Sequence, residues 1–82
     1  MMTKRAKLIE KLVRRPPEAD FNDVRAILED FGWTLARTRG SHHSFTKPGE
    51  SEIFTVPVHD RRVKKTCLNR LCVLLNLDDL GE

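Results

Sequence analysis

Residues 37–45 read RTRGSHHSF, a stretch whose composition is typical of a β-hairpin. Gly40 and Ser41 are turn-forming residues, preceded by two arginines and followed by two histidines. A second turn is indicated by residues 47–50, KPGE, because proline and glycine together interrupt regular structure. This pattern predicts that the middle of the chain forms a β-meander whose first hairpin carries cations and imidazoles.

Side-chain alternation assigns the two adjacent histidines to opposite faces of the second predicted strand. Phe45 marks the packed face, which His43 shares, so we expect His43 to be buried or half-buried and His42 to be exposed. Pro57 indicates a strand end or an edge strand, since proline donates no ladder hydrogen bond. The three predicted strands span residues 33–39, 41–47 and 52–58.

Two helices are predicted before the meander. Apolar residues at helical spacing indicate a helix over residues 3–15, which Pro16 and Pro17 stop. The opposite, basic face of this helix is either simply solvated or a binding surface. Asp20 is a typical N-cap for a second helix, and Gly32 is a typical residue just beyond its end.

A last helix is predicted to begin between His59 and Val63 and to run to about Asn76, with a broad apolar stripe. Its first turns would carry four cations, although the amino end of a helix disfavours each by roughly a few tenths of a kcal/mol. A bound phosphate would reverse this effect, because free backbone N–H groups also point at it. Alternatively, the side chains extend into water at little cost. These cations are Arg61, Arg62, Lys64 and Lys65.

The size and composition of the chain indicate one small domain. It has 82 residues, of which 39% are hydrophobic and 33% charged, a balance ordinary for a folded globular protein. We expect a single domain over residues 1–82, with an additional helix over 1–17 and a core over 20–77. The chain lacks an apolar run of about 18 residues and a signal-peptide pattern. We therefore expect a cytoplasmic protein without membrane contact.

The net charge and the two cysteines bear on whether the protein binds a polyanion or a zinc ion. The net charge of +3 is a modest indication of a polyanionic partner. Cys67 and Cys72 lie five residues apart in a helical pattern, and no second Cys or His pair flanks them at zinc-like spacing. We expect both to be reduced and partly buried, as free cysteines usually are.

The predicted elements follow the order α-α-β-β-β-α, which indicates the α+β class. Without the first helix, the order α-β-β-β-α matches that of a double-stranded-RNA-binding domain, in which a three-stranded antiparallel sheet packs on two helices. Members of that fold family often hold phosphates with basic residues at the start of the last helix. Topology alone supports an RNA partner only by analogy.

Two segments, residues 40–45 (GSHHSF) and 55–59 (TVPVH), resemble the HicA toxin family of small bacterial mRNA interferases. The resemblance covers about residues 20–77. It implies a double-stranded-RNA-binding-like fold, endoribonuclease cleavage of mRNA without a metal or other cofactor, and neutralisation by a HicB-type antitoxin. It places the family's catalytic histidine on His42. The first helix goes beyond the family pattern.

The chemistry that this resemblance implies suits the residues of the hairpin. RNA carries its own nucleophile, the 2′-hydroxyl, and histidine suits proton transfer because its pKa is near neutral. His42 would be the general base or acid, and nearby cations would offset the charge that develops on the phosphate. Besides the four cations of the last helix, the residues expected to bind RNA are Arg37, Arg39, Gly40, Ser41 and Lys47.

The other histidines have several interpretations. We expect His43 to be mainly a packing or hydrogen-bonding residue rather than a functional one. His59 would be a second proton-transfer group, a phosphate contact or a structural hydrogen-bonding residue. A metal site that joins both to His42 is not expected, because adjacent strand residues point to opposite faces.

Two other functions compete with the nuclease hypothesis. The first is a non-catalytic RNA-binding module that uses the same basic surface, and the second is a protein-interaction domain without an RNA role. For the nuclease, the charge distribution suggests that the antitoxin covers the histidine face and the basic surface.

Overall fold

The computed structural model describes residues 4–80, so the predicted helix start at Thr3 lies outside the described residues. Within this range the chain forms four helices and five strands. The helices are α1 (Lys4–Val13), α2 (Phe21–Asp30), α3 (Lys65–Leu75) and α4 (Leu77–Leu80). The strands are β1 (Glu18–Asp20), β2 (Thr34–Arg39), β3 (His42–Thr46), β4 (Phe54–Pro57) and β5 (Arg62–Lys64).

The predicted α+β fold is confirmed. The strands β2, β3 and β4 form an antiparallel sheet in that order and lie between α2 and α3 along the chain, as in a double-stranded-RNA-binding domain. Phe45, Phe54 and Val56 of this sheet are buried in the same cluster as the apolar residues of the helices. We call the sheet face that carries Phe45 the inner face and the opposite one, which carries His42, the outer face. As predicted, β4 ends at Pro57 and is an edge strand.

Both predicted ends of the second helix are confirmed. The Asp20 carboxylate accepts a hydrogen bond of 2.8 Å from a backbone N–H of the first turn of α2. At the other end, Gly32 has a φ of 95° and its N–H bonds to the Glu29 carbonyl at 3.0 Å. The N–H of Trp33 bonds to the Leu28 carbonyl at 2.9 Å, which completes a Schellman motif. Trp33 thus closes the helix, and β2 begins one residue later than predicted.

The first helix packs on the hydrophobic core. Ile9 is 7% exposed and Leu12 is fully buried, and both belong to the same buried cluster as the residues of α2 and α3. The Cys72 thiol lies 3.5 Å from the Leu12 carbonyl oxygen. Just beyond α1, the Arg15 guanidinium donates hydrogen bonds of 2.9 and 2.7 Å to the Asp78 carboxylate of α4. The helix is therefore held to the core by packing and at its end by an ion pair.

The predicted start of the last helix is wrong, because α3 begins only at Lys65. The three residues before it form β5, which pairs antiparallel with β1, and the pairing buries Ala19 opposite Val63. The Lys65 N–H, just after β5, donates a 3.0 Å hydrogen bond to the Pro17 carbonyl. Strands of three residues are too short to show a period in the sequence, and their pairing joins distant parts of the chain.

Two further expectations concern the helices and the cysteines. Among residues 4–80, no helix combines the length and the apolar character needed to cross a lipid bilayer. Cys67 and Cys72 are both free, as predicted, and they are buried rather than only partly buried. Burial raises the pKa of both thiols, so they stay protonated at neutral pH and are poor nucleophiles.

Candidate functional site

Arg39 and His42 face each other as the last pair of residues before the turn that joins β2 to β3. Only Gly40 and Ser41 form this turn, and Gly40 has a φ of 59°. A positive φ at the first of two turn residues is typical of a type II′ hairpin and favours glycine. Residues directly opposite each other in a ladder share a face. The turn therefore places a guanidinium and an imidazole side by side at the tip of the hairpin.

A β-bulge in β2 decides which arginines share the outer face. Leu35 and Arg37 pair with successive residues of β3, so Ala36 is an extra residue in the ladder. Strict alternation from the inner-facing Leu35 would have put both arginines of β2 on the inner face. The bulge reverses the alternation, so Arg37 and Arg39 lie on the outer face with His42.

The two adjacent histidines have different environments, as predicted: His42 is exposed and His43 is half-buried. The His43 ring packs on the inner face, with its centroid 4.4 Å from that of the Phe21 ring. His43 Nδ1 also lies 3.4 Å from the Ser41 carbonyl oxygen, a long and therefore weak hydrogen bond. His43 thus has a packing environment, whereas the imidazole of His42 is open to a ligand.

His59 lies at the same end of the sheet as this hairpin. His42 pairs with Pro57 of β4, and the next residue, Val58, donates a 2.7 Å hydrogen bond from its N–H to the Ser41 carbonyl. His59 follows directly and is exposed. The structure thus brings two exposed imidazoles, far apart in the sequence, to one end of the sheet.

A second tight turn follows His59 and presents another arginine. His59 and Arg62 exchange two backbone hydrogen bonds of 3.0 and 2.7 Å around Asp60 and Arg61, which have φ values of 51° and 64°. Two positive φ values are the pattern of a type I′ turn, which asparagine, aspartate and glycine tolerate best. For an arginine this conformation is strained by roughly 1 kcal/mol or more. The strained turn holds the exposed Arg61 side chain beyond the end of the sheet.

The predicted basic cluster therefore has a different geometry from the one expected. Only Lys65 lies in α3, whereas Arg62 and Lys64 are exposed residues of β5 on either side of the buried Val63. The prediction that four cations crowd the first turns of a helix is wrong. A turn and a short strand present three of them instead, and of these only Lys64, the N-cap residue of α3, lies at the positive end of the helix.

Most cations in the amino-terminal part of the chain form ion pairs, whereas most of those on the strands and turns do not. Five cations in the amino-terminal part of the chain each have a carboxylate within 4.0 Å: Arg5, Lys11, Arg14, Arg15 and Arg25. Arg62 lies 3.7 Å from Glu18. Among the side chains that the structure describes, eight other cations have no carboxylate within that distance: Lys7, Arg37, Arg39, Lys47, Arg61, Lys64, Lys65 and Arg70. Six of these eight lie between β2 and the start of α3, the part of the chain that also carries the exposed imidazoles.

The structure separates Lys47 from the other expected site residues. It lies five residues beyond His42, which corresponds to about 17 Å of extended chain. Its side chain passes Gly32, where an added Cβ would lie 3.3 Å from Lys47 Cε. Lys47 therefore belongs to the opposite end of the sheet and cannot act on the same phosphate as His42.

No group of three or more His, Cys, Asp and Glu side chains among the described residues is arranged to hold a metal ion. The three histidines illustrate the reason. His42 and His43 are neighbours on β3 and point to opposite faces, and the His43 ring packs against Phe21. The chemistry available at this site is thus that of exposed imidazoles and guanidinium groups.

Sequence reasoning missed a depression on the outer face. It lies beside Arg37 and is bordered by Ile53, which is 62% exposed. Alternation places Ile53 opposite the buried face, but its position near the bulge depends on strand pairing that no local pattern reveals. We call this feature the Ile53 depression; its lining residues are Ala36, Arg37, Ser44, Thr46 and Ile53.

Comparison with known proteins identifies the family of the chain. Neither the curated proteins nor the solved structures gave a match. The family model described as the HicA toxin of bacterial toxin-antitoxin matches residues 21–80, from the first residue of α2 to the end of α4. The matched region contains the hairpin and both segments that carry the resemblance, while α1 and β1 lie outside it. The chain therefore belongs to the HicA family, the toxins of bacterial toxin–antitoxin systems.

Proposed function

We propose that this toxin is an endoribonuclease that cleaves mRNA in the cytoplasm, with His42 as a general acid/base. One observation carries the proposal: the exposed His42 lies directly opposite Arg39, on the face to which the bulge also brings Arg37. A phosphodiester bound there would meet a proton-transfer group and two guanidinium groups at once. Family membership supports the toxin role.

The proposed reaction is an internal transfer of the phosphoryl group. His42 removes the proton of a 2′-hydroxyl, whose oxygen attacks the adjacent phosphorus while the bond to the 5′-oxygen breaks. His59 is proposed as the acid that protonates the leaving oxygen, which gives a 2′,3′-cyclic phosphate and a 5′-hydroxyl. Each positioned proton transfer would contribute roughly 10²–10⁴-fold to the rate. The route needs no metal ion, because the substrate supplies its nucleophile.

The cations have two proposed roles. Arg37 and Arg39 would offset the charge that develops on the non-bridging oxygens of the scissile phosphate, as charge-stabilising groups do in other phosphoryl transfers. The exposed cations of the second turn and β5 would bind flanking phosphates. Gly40 and Ser41 would let the RNA backbone approach the hairpin closely. The residues proposed to hold the flanking phosphates are Arg61, Arg62, Lys64 and Lys65, with Lys47 as a more distant contact.

Family membership also implies an antitoxin partner. We propose a HicB-type antitoxin that covers the outer face around His42 and the unpaired cations, so that the RNA is excluded. Acidic or carbonyl groups of the partner would replace the phosphates. A complex in which the antitoxin leaves the hairpin uncovered would contradict this part of the proposal.

The test of the nuclease function is cleavage of a defined transcript by the purified protein in the presence of EDTA. We expect cleavage by the native chain, products with cyclic phosphate ends, and arrest of bacterial growth on expression that a co-expressed antitoxin relieves. His42→Ala should abolish cleavage with the RNA affinity largely kept. The matched control is Thr38→Ala, because Thr38 is an exposed residue of the same hairpin that pairs with His43 and so faces the other side.

The outcomes separate the competing functions. If the native chain binds RNA but never cleaves it, the protein is a non-catalytic RNA-binding module. If His42→Ala cleaves as fast as the native chain, the role of His42 is wrong. If binding to RNA is absent, or does not weaken as salt rises, the phosphate contacts proposed here do not exist.

A further inference from the structure

We propose that the Ile53 depression is a nucleobase-binding subsite that selects the base next to the cleaved bond. This inference rests on the proposed nuclease function and adds a specificity-determining surface to it. The depression lies on the outer face, and one of its lining residues, Ser44, is two residues from His42 on the same strand. Two residues of a strand span about 7 Å, so the depression and the imidazole are within reach of one nucleotide and its neighbour.

The shape of the depression suits a flat ring. Its floor is formed by small side chains, those of Ala36, Ser44 and Thr46, because the bulge places the extra residue Ala36 on this face. Ile53 stands at its border with 62% of its surface exposed, although it lies next to the buried Phe54. An exposed apolar side chain beside a small-residue floor can cover one face or edge of an unstacked base.

The polar groups of the depression suit the same ligand. The planar guanidinium of Arg37 is exposed and has no carboxylate within 4.0 Å among the described residues, so its face can stack on a base while its N–H groups donate to the phosphate. The hydroxyls of Ser44 and Thr46 can donate and accept hydrogen bonds at a base edge. A single-stranded RNA whose phosphate lies between Arg39 and His42 would therefore leave a neighbouring base over the Ile53 depression.

The experiment measures binding separately from cleavage. In the His42→Ala background, fluorescence anisotropy would compare a short oligoribonucleotide with versions that are abasic at one position each. We expect one abasic position to weaken binding by about tenfold, the range for loss of one stacked base. Ile53→Ser and Arg37→Ala should remove this position dependence. In the cleaving protein, the same two changes should broaden the preference for the base beside the cut.

Matched controls separate the subsite from general effects of charge and hydrophobicity. Val73→Ser removes another exposed apolar side chain, 75% exposed on α3, and Arg14→Ala removes an exposed arginine just beyond the end of α1. Both should keep the position dependence of the native surface. Ala36→Leu, which fills the floor, should weaken binding of the intact oligonucleotide to the level of the abasic one.

Each result of the binding experiment either supports or overturns the proposed subsite. Equal binding of all abasic oligonucleotides, or unchanged position dependence in Ile53→Ser, overturns the subsite whether or not the protein cleaves RNA. A position dependence that both variants remove supports the subsite even in a protein that cleaves nothing, in which case only the nuclease proposal fails. Absence of RNA binding overturns both.

Discussion

The N–H of Phe21, the first residue of α2, donates a 2.7 Å hydrogen bond to the carbonyl of Arg61, in the middle of the strained turn. The bond joins the amino end of a helix to the loop that presents the Arg61 side chain, which has no carboxylate within 4.0 Å among residues 4–80. Because it uses only backbone atoms, it survives replacement of the Arg61 side chain. The turn thus allows stability and RNA binding to be tested separately.

Arg61→Gly should keep or raise the stability of the fold while weakening RNA binding. Glycine adopts a positive φ without strain, so we expect the free energy of unfolding to be unchanged or to rise by up to about 1 kcal/mol. Loss of one phosphate contact should lower affinity and reduce the slope of log affinity against log salt by about 0.7. Urea denaturation and salt-dependent anisotropy measure the two effects.

Asp60→Gly is the control for this pair of effects, because it relieves the neighbouring positive φ without removing a cation. It should gain less stability than Arg61→Gly, because aspartate tolerates a positive φ better than arginine does, and it should bind RNA at least as tightly as the native protein. Equal RNA affinity and salt slope in Arg61→Gly and the native protein would exclude Arg61 from the RNA contact.

Arg39→Ala should slow cleavage by roughly tenfold to a hundredfold. This factor is at or below the one by which the rate usually falls when a group that stabilises charge in the transition state is removed. Arg39 is exposed and pairs with no buried residue, so the fold should be unaffected. Single-turnover cleavage at saturating protein measures the rate. Arg39→Lys should restore only part of it, since lysine lacks the planar, two-pronged donor geometry. Full activity of Arg39→Ala would contradict the proposed role.

Leu12→Ala should destabilise the protein strongly, although α1 lies outside the region that the family model matches. Leu12 is fully buried in the core, and such truncations cost about 2–5 kcal/mol. Urea denaturation measures the loss. Lys7→Ala, at an exposed position of the same helix, is the control and should change stability little. An equally small effect of both changes would mean that α1 is not part of the cooperative fold.

The Arg15–Asp78 pair should make part of the stability depend on pH. The hydrogen bonds from the Arg15 guanidinium lower the pKa of the Asp78 carboxyl in the folded state. Because the folded-state pKa is below the unfolded one, the stabilisation is complete above about pH 4 and is lost as pH falls through the folded-state pKa. Asp78→Asn should therefore melt at a lower temperature than the native protein at pH 7, with the gap closing in acid.

Thermal unfolding followed by circular dichroism between pH 2 and pH 7 checks this prediction. Arg15→Gln should produce the same gap at pH 7, and the double variant should add little to either change. A gap that persists unchanged at the lowest pH would show that Asp78 stabilises the fold by some means other than its charge.

Much of the fold was accessible from local patterns. The apolar spacing of α2, its cap at Asp20 and its closing Gly32 are local features, and the structure confirms all three. The exposure of His42 and the half-burial of His43 followed from alternation around Phe45 alone. The start of the last helix was not accessible in this way, because three residues assigned to its first turn pair with β1 instead.

The same distinction between local and long-range features applies to the candidate site. The residues that carry chemistry could be named from the sequence, because residue type and turn composition are local properties of the chain. Which of them act together could not, since the bulge at Ala36 arises from pairing with β3 and decides that Arg37 and Arg39 lie on the face of His42. The approach of His59 and the separation of Lys47 likewise depend on how the strands align. Register and packing join distant segments, and only the folded chain decides them.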